Sequence, residues 1–158
     1  MKWLLITGAM ILALSTPAWP SDWKSGQQAY DRGDVETALG EWQAAASAGD
    51  ARAEYSLGFL YQTGEGVPRD FEQAINFYRL AADHGNTDAQ VALGNLCRLG
   101  LGMETDLVQA YMWYTLASQS GNPMAPRNRE RAAADMTPDQ IAAAQRLITA
   151  WRAKHGVR

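Results

Sequence analysis

The segment Ala51–Asn86, ARAEYSLGFLYQTGEGVPRDFEQAINFYRLAADHGN, is followed at once by a second version of itself, Thr87–Asn122, TDAQVALGNLCRLGLGMETDLVQAYMWYTLASQSGN. A shift of 36 positions superposes Ala53 on Ala89, Leu57-Gly58 on Leu93-Gly94, Gly64 on Gly100, Gly66 on Gly102 and Asp70 on Asp106. The match runs on through Ala74/Ala110, Tyr78/Tyr114, Ala81/Ala117 and Gly85-Asn86/Gly121-Asn122. A fixed period of this size marks a stack of helix pairs, each burying its apolar face on the next. In the first copy, helix A is expected over Ala51–Gln62, with Ala53, Leu57, Leu60 and Tyr61 on its buried stripe. Gly58 costs about 1 kcal/mol against Ala in mid-helix. Its return at Gly94 predicts a neighbouring helix too close for a side chain. The loop Thr63–Pro68 stops the helix, and Asp70 with Gln73 forms a capping-box-like start to helix B. Helix B, Phe71–His84, buries Ala74, Phe77, Tyr78 and Ala81, and Gly85 closes it in the left-handed conformation.

Upstream, 22–50 reads as a degenerate pair, with helices Asp22–Arg32 and Val35–Ala48 joined by a tight Gly33-Asp34 turn. Trp42 falls 36 before Tyr78, and the long glycine loop is missing. Downstream, 123–158 reads as a partial repeat. It has a helix over Pro123–Ala134 carrying Arg127, Arg129 and Arg131, then Thr137-Pro138-Asp139-Gln140 opening a helix Pro138–Lys154. Ile141, Ala144, Ile148 and Trp151 share one face of that helix, which is expected to cover the open end of the array.

The first 18 residues stand apart. Lys2, the apolar run Trp3–Leu14 and the small residues Thr16 and Ala18 spell a secretory leader cut after Ala18. That predicts a periplasmic or secreted protein with no membrane span after cleavage; a retained signal anchor is the alternative. The formal charge of −3 favours neither nucleic acid nor an acidic membrane surface as partner. Cys97 is the one cysteine, so no intramolecular disulfide forms. It occupies the place of Tyr61, within the apolar pattern, and reads as a small buried hydrophobe.

These residues resemble the Sel-one-like repeat (SLR), a branch of the tetratricopeptide-type helical repeats. The carriers are Leu57-Gly58, Tyr61, Gly64-Glu65-Gly66-Val67, Tyr78, Ala81-Ala82 and Gly85-Asn86, with their counterparts in 87–122. The resemblance implies an all-α, right-handed α/α solenoid and an adaptor role, in bacterial envelopes often within signalling, secretion or polysaccharide assembly. Cysteine-rich relatives linked to β-lactam binding carry a disulfide in each repeat. A chain with one cysteine departs from them, so the resemblance does not imply an enzyme.

Chemical motifs are sparse. His84 and His155 have no partner at metal spacing. His84 sits at a helix C-terminus, where free carbonyls and the dipole favour it. Ser21–Lys24 fits S-x-x-K without the accompanying motifs, and the Gly-x-Gly loops lack the Lys-Ser/Thr and preceding strand of a phosphate cradle. Asp70 and Asp106 read as caps. No catalytic, metal or cofactor site emerges, and binding is the expected activity. Helical phase leaves Gln28, Asp31, Arg52, Tyr55, Phe59, Gln62, Val91, Asn95 and Arg98 off the packing stripe of the A helices, on the concave surface. Tyr55 and Phe59, four apart, either form an apolar anchor beside Arg52 and Gln62 or pack against the neighbouring A helices. The expected partner is a peptide or protein; a cell-wall polymer stacked on Trp and Tyr is the alternative.

Overall fold

The computed structural model describes residues 22–156, so the expected leader, Met1–Ala18, and Ser21 of the S-x-x-K match lie outside the described residues. Eight helices and no strand occur among them: α1 (Trp23–Asp31), α2 (Val35–Ser47), α3 (Ala51–Thr63), α4 (Phe71–Asp83), α5 (Thr87–Leu99), α6 (Leu107–Gln119), α7 (Ala125–Ala133) and α8 (Pro138–His155). The expected helices are all present, with ends moved by one or two residues where terminal turns fray.

Side-chain caps set most of the helix starts. Asp34, Asp50, Asp70, Asn86 and Asp106 each accept a backbone N–H from the first turn of the helix they precede, each such cap being worth about 1 kcal/mol. Thr137 and Gln140 make a complete capping box. At Asp70 and Asp106 the reciprocal half of the expected box gives way to another bond. Their own N–H groups donate to the Tyr61 and Cys97 carbonyls at 2.8 Å, tying the end of helix A to the start of helix B.

Consecutive helices pack as α1/α2, α3/α4 and α5/α6 hairpins, and each pair stacks on the next through α2/α3, α4/α5 and α6/α7. The odd helices α1 and α3 also touch, with no comparable packing between α2 and α4. Neighbours crowd on the inside of a bend, so at this step of the stack the odd helices lie on the inner side. Gly58 and Gly94 sit where a close approach was expected, and what approaches is a ring. A Cβ at Gly58 would lie 2.6 Å from Tyr78, and one at Gly94 2.4 Å from Tyr114. Gly26 meets Trp42 in the same way, so the first pair shares this ring-on-glycine contact. Its missing loop also has a reason. Gly66 packs on Val35 and Gly102 on Phe71, each at the start of the B helix one layer back; among the described residues no layer precedes the first pair.

The C-terminal end is built from two parts. α7 continues the stack on α6, whereas α8 lies along α6 rather than pairing with α7. Met112 through Ala117 are consequently all buried. α8 reaches α4 as well, through Trp151 and His155 to Asp83.

Candidate functional site: a groove on the inner face

α3 and α5 border a groove of about 330 Å³ on the inner face. Tyr55, Phe59 and Gln62 come from α3, Val91 and Asn95 from α5, and Asp88, Asn122 and Met124 line it as well. Tyr55 and Phe59 are half-buried, and only Phe59 packs on a neighbouring A helix; Tyr55 packs on the B helix of its own pair. Tyr55 packs on Tyr78 with ring centroids 5.6 Å apart, Phe59 meets Tyr30 edge-on at 6.5 Å, and both rings still face the groove. Burial, with the nearby Asp88 carboxylate, pushes the Tyr55 hydroxyl above its ordinary pKa.

The two carboxamides are oriented from behind. The Tyr78 hydroxyl donates to Gln62 Oε1 at 2.7 Å, and the Tyr114 hydroxyl donates to Asn95 Oδ1 at 2.8 Å. Burial raises the pKa of both phenols, so they remain donors. With each amide oxygen held this way, the NH₂ groups have no hydrogen-bond partner among the described residues. At one end, Asn122 donates to Asp88 Oδ1 at 2.8 Å and accepts from the Met124 N–H at 3.0 Å, which fixes the carboxylate and the start of α7 together.

Tyr55, Phe59, Gln62, Val91 and Asn95 thus converge as expected, and the other four residues lie elsewhere. Arg52 is held by the α3 cap: its Nη2 lies 2.8 Å from Asp50 Oδ2 and its guanidinium 5.2 Å from the Trp23 ring centroid. Asp50 precedes it by two residues, so the side chain folds back to the helix start and away from the anchor pair. Asp31 accepts from Gln27 Nε2 at 2.7 Å at the end of α1, and Gln28 is exposed on the same helix. Arg98 does not line the groove; its charge acts on the Tyr114 hydroxyl behind Asn95. The sequence reading missed Asp88, Asn122 and Met124. Met124 projects from the break after the second repeat, 62% exposed, where periodicity gives no guidance.

Other chemistry-bearing residues have structural partners. His84 Nδ1 lies 2.8 Å from Oε2 of the buried Glu54, so this side chain serves a carboxylate rather than the helix-end carbonyls expected for it. One repeat on, Gln90 replaces Glu54; its Nε2 donates to the Ala82 carbonyl at 3.5 Å, and its Oε1 has no partner among the described residues. Cys97 is buried, and its thiol is pushed up to about 11, mainly by burial and further by Asp106. Among the described residues no group of three or more His, Cys, Asp or Glu could hold a metal ion, and no helix is long and apolar enough to cross a membrane.

The Sel1 repeat family model matches residues 51–86 and 87–122, the two copies that the 36-residue shift superposes. This chain carries two Sel1 repeats. The Sel1 array is similar to the crystal structure of c5321, a protective antigen of uropathogenic Escherichia coli displaying an SLR fold, with 30% identity and a TM-score of 0.79 over 84% of this chain. It is also similar to a Sel1 repeat protein from Oxalobacter formigenes, with 27% identity and a TM-score of 0.65 over 73% of this chain. The matches span 29% and 51% of those two chains, so this chain corresponds to a part of each. Among curated proteins no relative matches. Sel1 repeats build protein-interaction scaffolds and are generally non-catalytic, which accords with an inner groove lined by rings, amides and one carboxylate.

Proposed function

We propose that this chain is an exported, periplasmic adaptor that receives an extended segment of a partner protein in the groove between α3 and α5. The observation that carries this reading is the pair of carboxamides whose oxygens are occupied by Tyr78 and Tyr114. Their NH₂ groups offer two donors to the carbonyls of an extended backbone, beside an apolar floor of Tyr55, Phe59 and Val91. Asp88 at one end favours a basic side chain or a free amino terminus. The leader-like segment Met1–Ala18 supports export.

Affinity capture from envelope extract tests the reading, using the chain from Trp19 to Arg158 as bait. One stoichiometric protein partner is expected. Replacing Tyr55 and Phe59 together by Ala removes two ring anchors and should weaken capture by about thirtyfold or more, with helical content unchanged. Unchanged binding by a folded double variant would sink the groove assignment. Retention on purified peptidoglycan in place of a protein would favour the cell-wall polymer. Export is tested by sequencing the mature amino terminus, expected at Trp19.

A further inference from the structure

The repeat allows one layer of the array to be compared with the next. On the outer face, α8 fills the cleft between α4 and α6. Trp151 meets Trp113 edge-on with centroids 6.4 Å apart, and its Nε1 donates to Asp83 Oδ1 at 3.4 Å. His155 Nε2 lies 3.2 Å from the same oxygen, and Ile148 shares a buried cluster with Ala82, Leu93 and Leu116. Subtracting 36 from Ala82, Asp83, Leu93, Trp113 and Leu116 gives Ala46, Ser47, Leu57, Phe77 and Leu80. Those five residues, with Gln43 at the place of Arg79, line an open cleft of about 420 Å³ beside α2 and α4. The apolar chemistry of the two clefts is the same: alanine, leucine, an aromatic ring and a second leucine. Their burial is not. Leu116 is 3% exposed in the filled cleft, and Leu80 is 49% exposed in the open one.

We infer that the cleft between α2 and α4 is a second docking site, which takes an amphipathic helix of a partner protein presenting a branched aliphatic and an aromatic residue three positions apart. The filled cleft displays this occupant, since Ile148 and Trp151 of α8 have that spacing. The polar end differs. Ser47 and Gln43 stand where Asp83 and Arg79 stand in the filled cleft, so the incoming helix ends in a residue that pairs with a hydroxyl or carboxamide instead of one that, like His155, faces a carboxylate. Among the described residues α8 is the helix of this type, and it is already seated, with its capping box and its contacts to Asp83 complete. The occupant is therefore none of the described helices, and the neutral polar end of the cleft fits the helix of a partner protein. This site lies on the opposite face from the α3–α5 groove and does not depend on it.

A fluorescein-labelled synthetic peptide of residues 137–156 with His155→Gln, titrated with the full chain and followed by anisotropy, provides the test. Saturable one-to-one binding is expected. Leu80→Asp places a charge in the apolar seat and Ala46→Arg fills it, and each should weaken binding by about tenfold or more. The Tyr55→Ala/Phe59→Ala variant should bind the peptide like wild type, which keeps this test separate from that of the inner groove. Absence of saturable binding overturns the assignment, as does binding that survives both cleft variants by exchange with the seated α8. A concentration-dependent dimer dissolved by Leu80→Asp also overturns it, because a second copy of the chain would then be the occupant.

Discussion

Gly58→Ala separates helix propensity from packing, because the two disagree on its sign. Propensity alone makes Ala the better residue in a helix interior by about 1 kcal/mol. The structure puts the new Cβ 2.6 Å from Tyr78 Cδ1 and Cε1 and 3.1 Å from its Cγ, so the whole ring must move rather than its tip. Tyr78 is 1% exposed and its hydroxyl is committed to Gln62, leaving it nowhere to go. Overpacking a closed site costs about 1–3 kcal/mol, and a strained or broken Tyr78–Gln62 bond adds about 1 kcal/mol. Set against the propensity gain, the net expectation is a loss of about 1–3 kcal/mol. Gly40 supplies the control: it lies in the α2 interior with nothing within 4 Å of an added Cβ, so Gly40→Ala should stabilise by up to about 1 kcal/mol. Urea unfolding followed by far-UV circular dichroism measures both, and thermal midpoints should move in opposite directions by a few degrees at about 2–4 °C per kcal/mol. Placing Gly58→Ala in a Tyr78→Leu background should cut its cost, since the clashing ring is gone. If Gly58→Ala is as stable as wild type or more so, while Gly40→Ala behaves as expected, the ring-on-glycine account of the repeat is wrong.

Two further outcomes follow from individual groups. With its pKa near 11, Cys97 has roughly one thiol in ten thousand ionised at neutral pH, so a thiol reagent should label the native chain only as fast as it opens, and the urea-unfolded chain at once. Asp50 has its pKa lowered by the hydrogen bond from Arg52, with the backbone N–H groups at the start of α3 adding to it. A carboxyl with a depressed folded pKa contributes stability above its unfolded value of about 3.9, and the contribution is lost as pH falls through the folded value. Asp50→Asn should accordingly flatten the acid limb of a stability profile below about pH 4, measured as urea midpoints, and leave its slope near neutrality unchanged.

What could be read from the sequence divides along the repeat itself. Features present in both copies, such as Gly58/Gly94, Tyr78/Tyr114, Asp70/Asp106 and the glycine loop, report layer contacts. One copy explains the other, so the helices and their stacking were legible. The groove was legible only where helical phase decides which way a side chain points, as for Tyr55, Phe59, Gln62, Val91 and Asn95. Phase did not place Arg52, because a cap two residues away outcompetes the groove for its guanidinium. It did not place Met124 either, because the period ends at Asn122.

The position of α8 was encoded where the copies differ. α4 has Asn76, Phe77 and Leu80 where α6 has Met112, Trp113 and Leu116, so α6 is apolar on nearly every side. A helix apolar all round is a helix covered all round. The excess over α4 is the imprint of α8, which makes α6 a core helix in an array whose other B helices keep an outer face. By the same comparison, Leu80 and Phe77 retain the apolar half of that imprint while Asn76 keeps the polar half; Phe77 is partly covered by Tyr61, and Leu80 stays exposed among the described residues. A surface that is half core and half solvent-facing fits intermittent occupation: a permanent cover would favour an apolar residue at position 76 as it does at 112, and a surface never covered gains nothing from Leu80. Asn76→Met would complete the pattern of α6. It should tighten the peptide in the α2–α4 cleft if position 76 lies at its rim, and leave it unchanged if only the six lining residues matter.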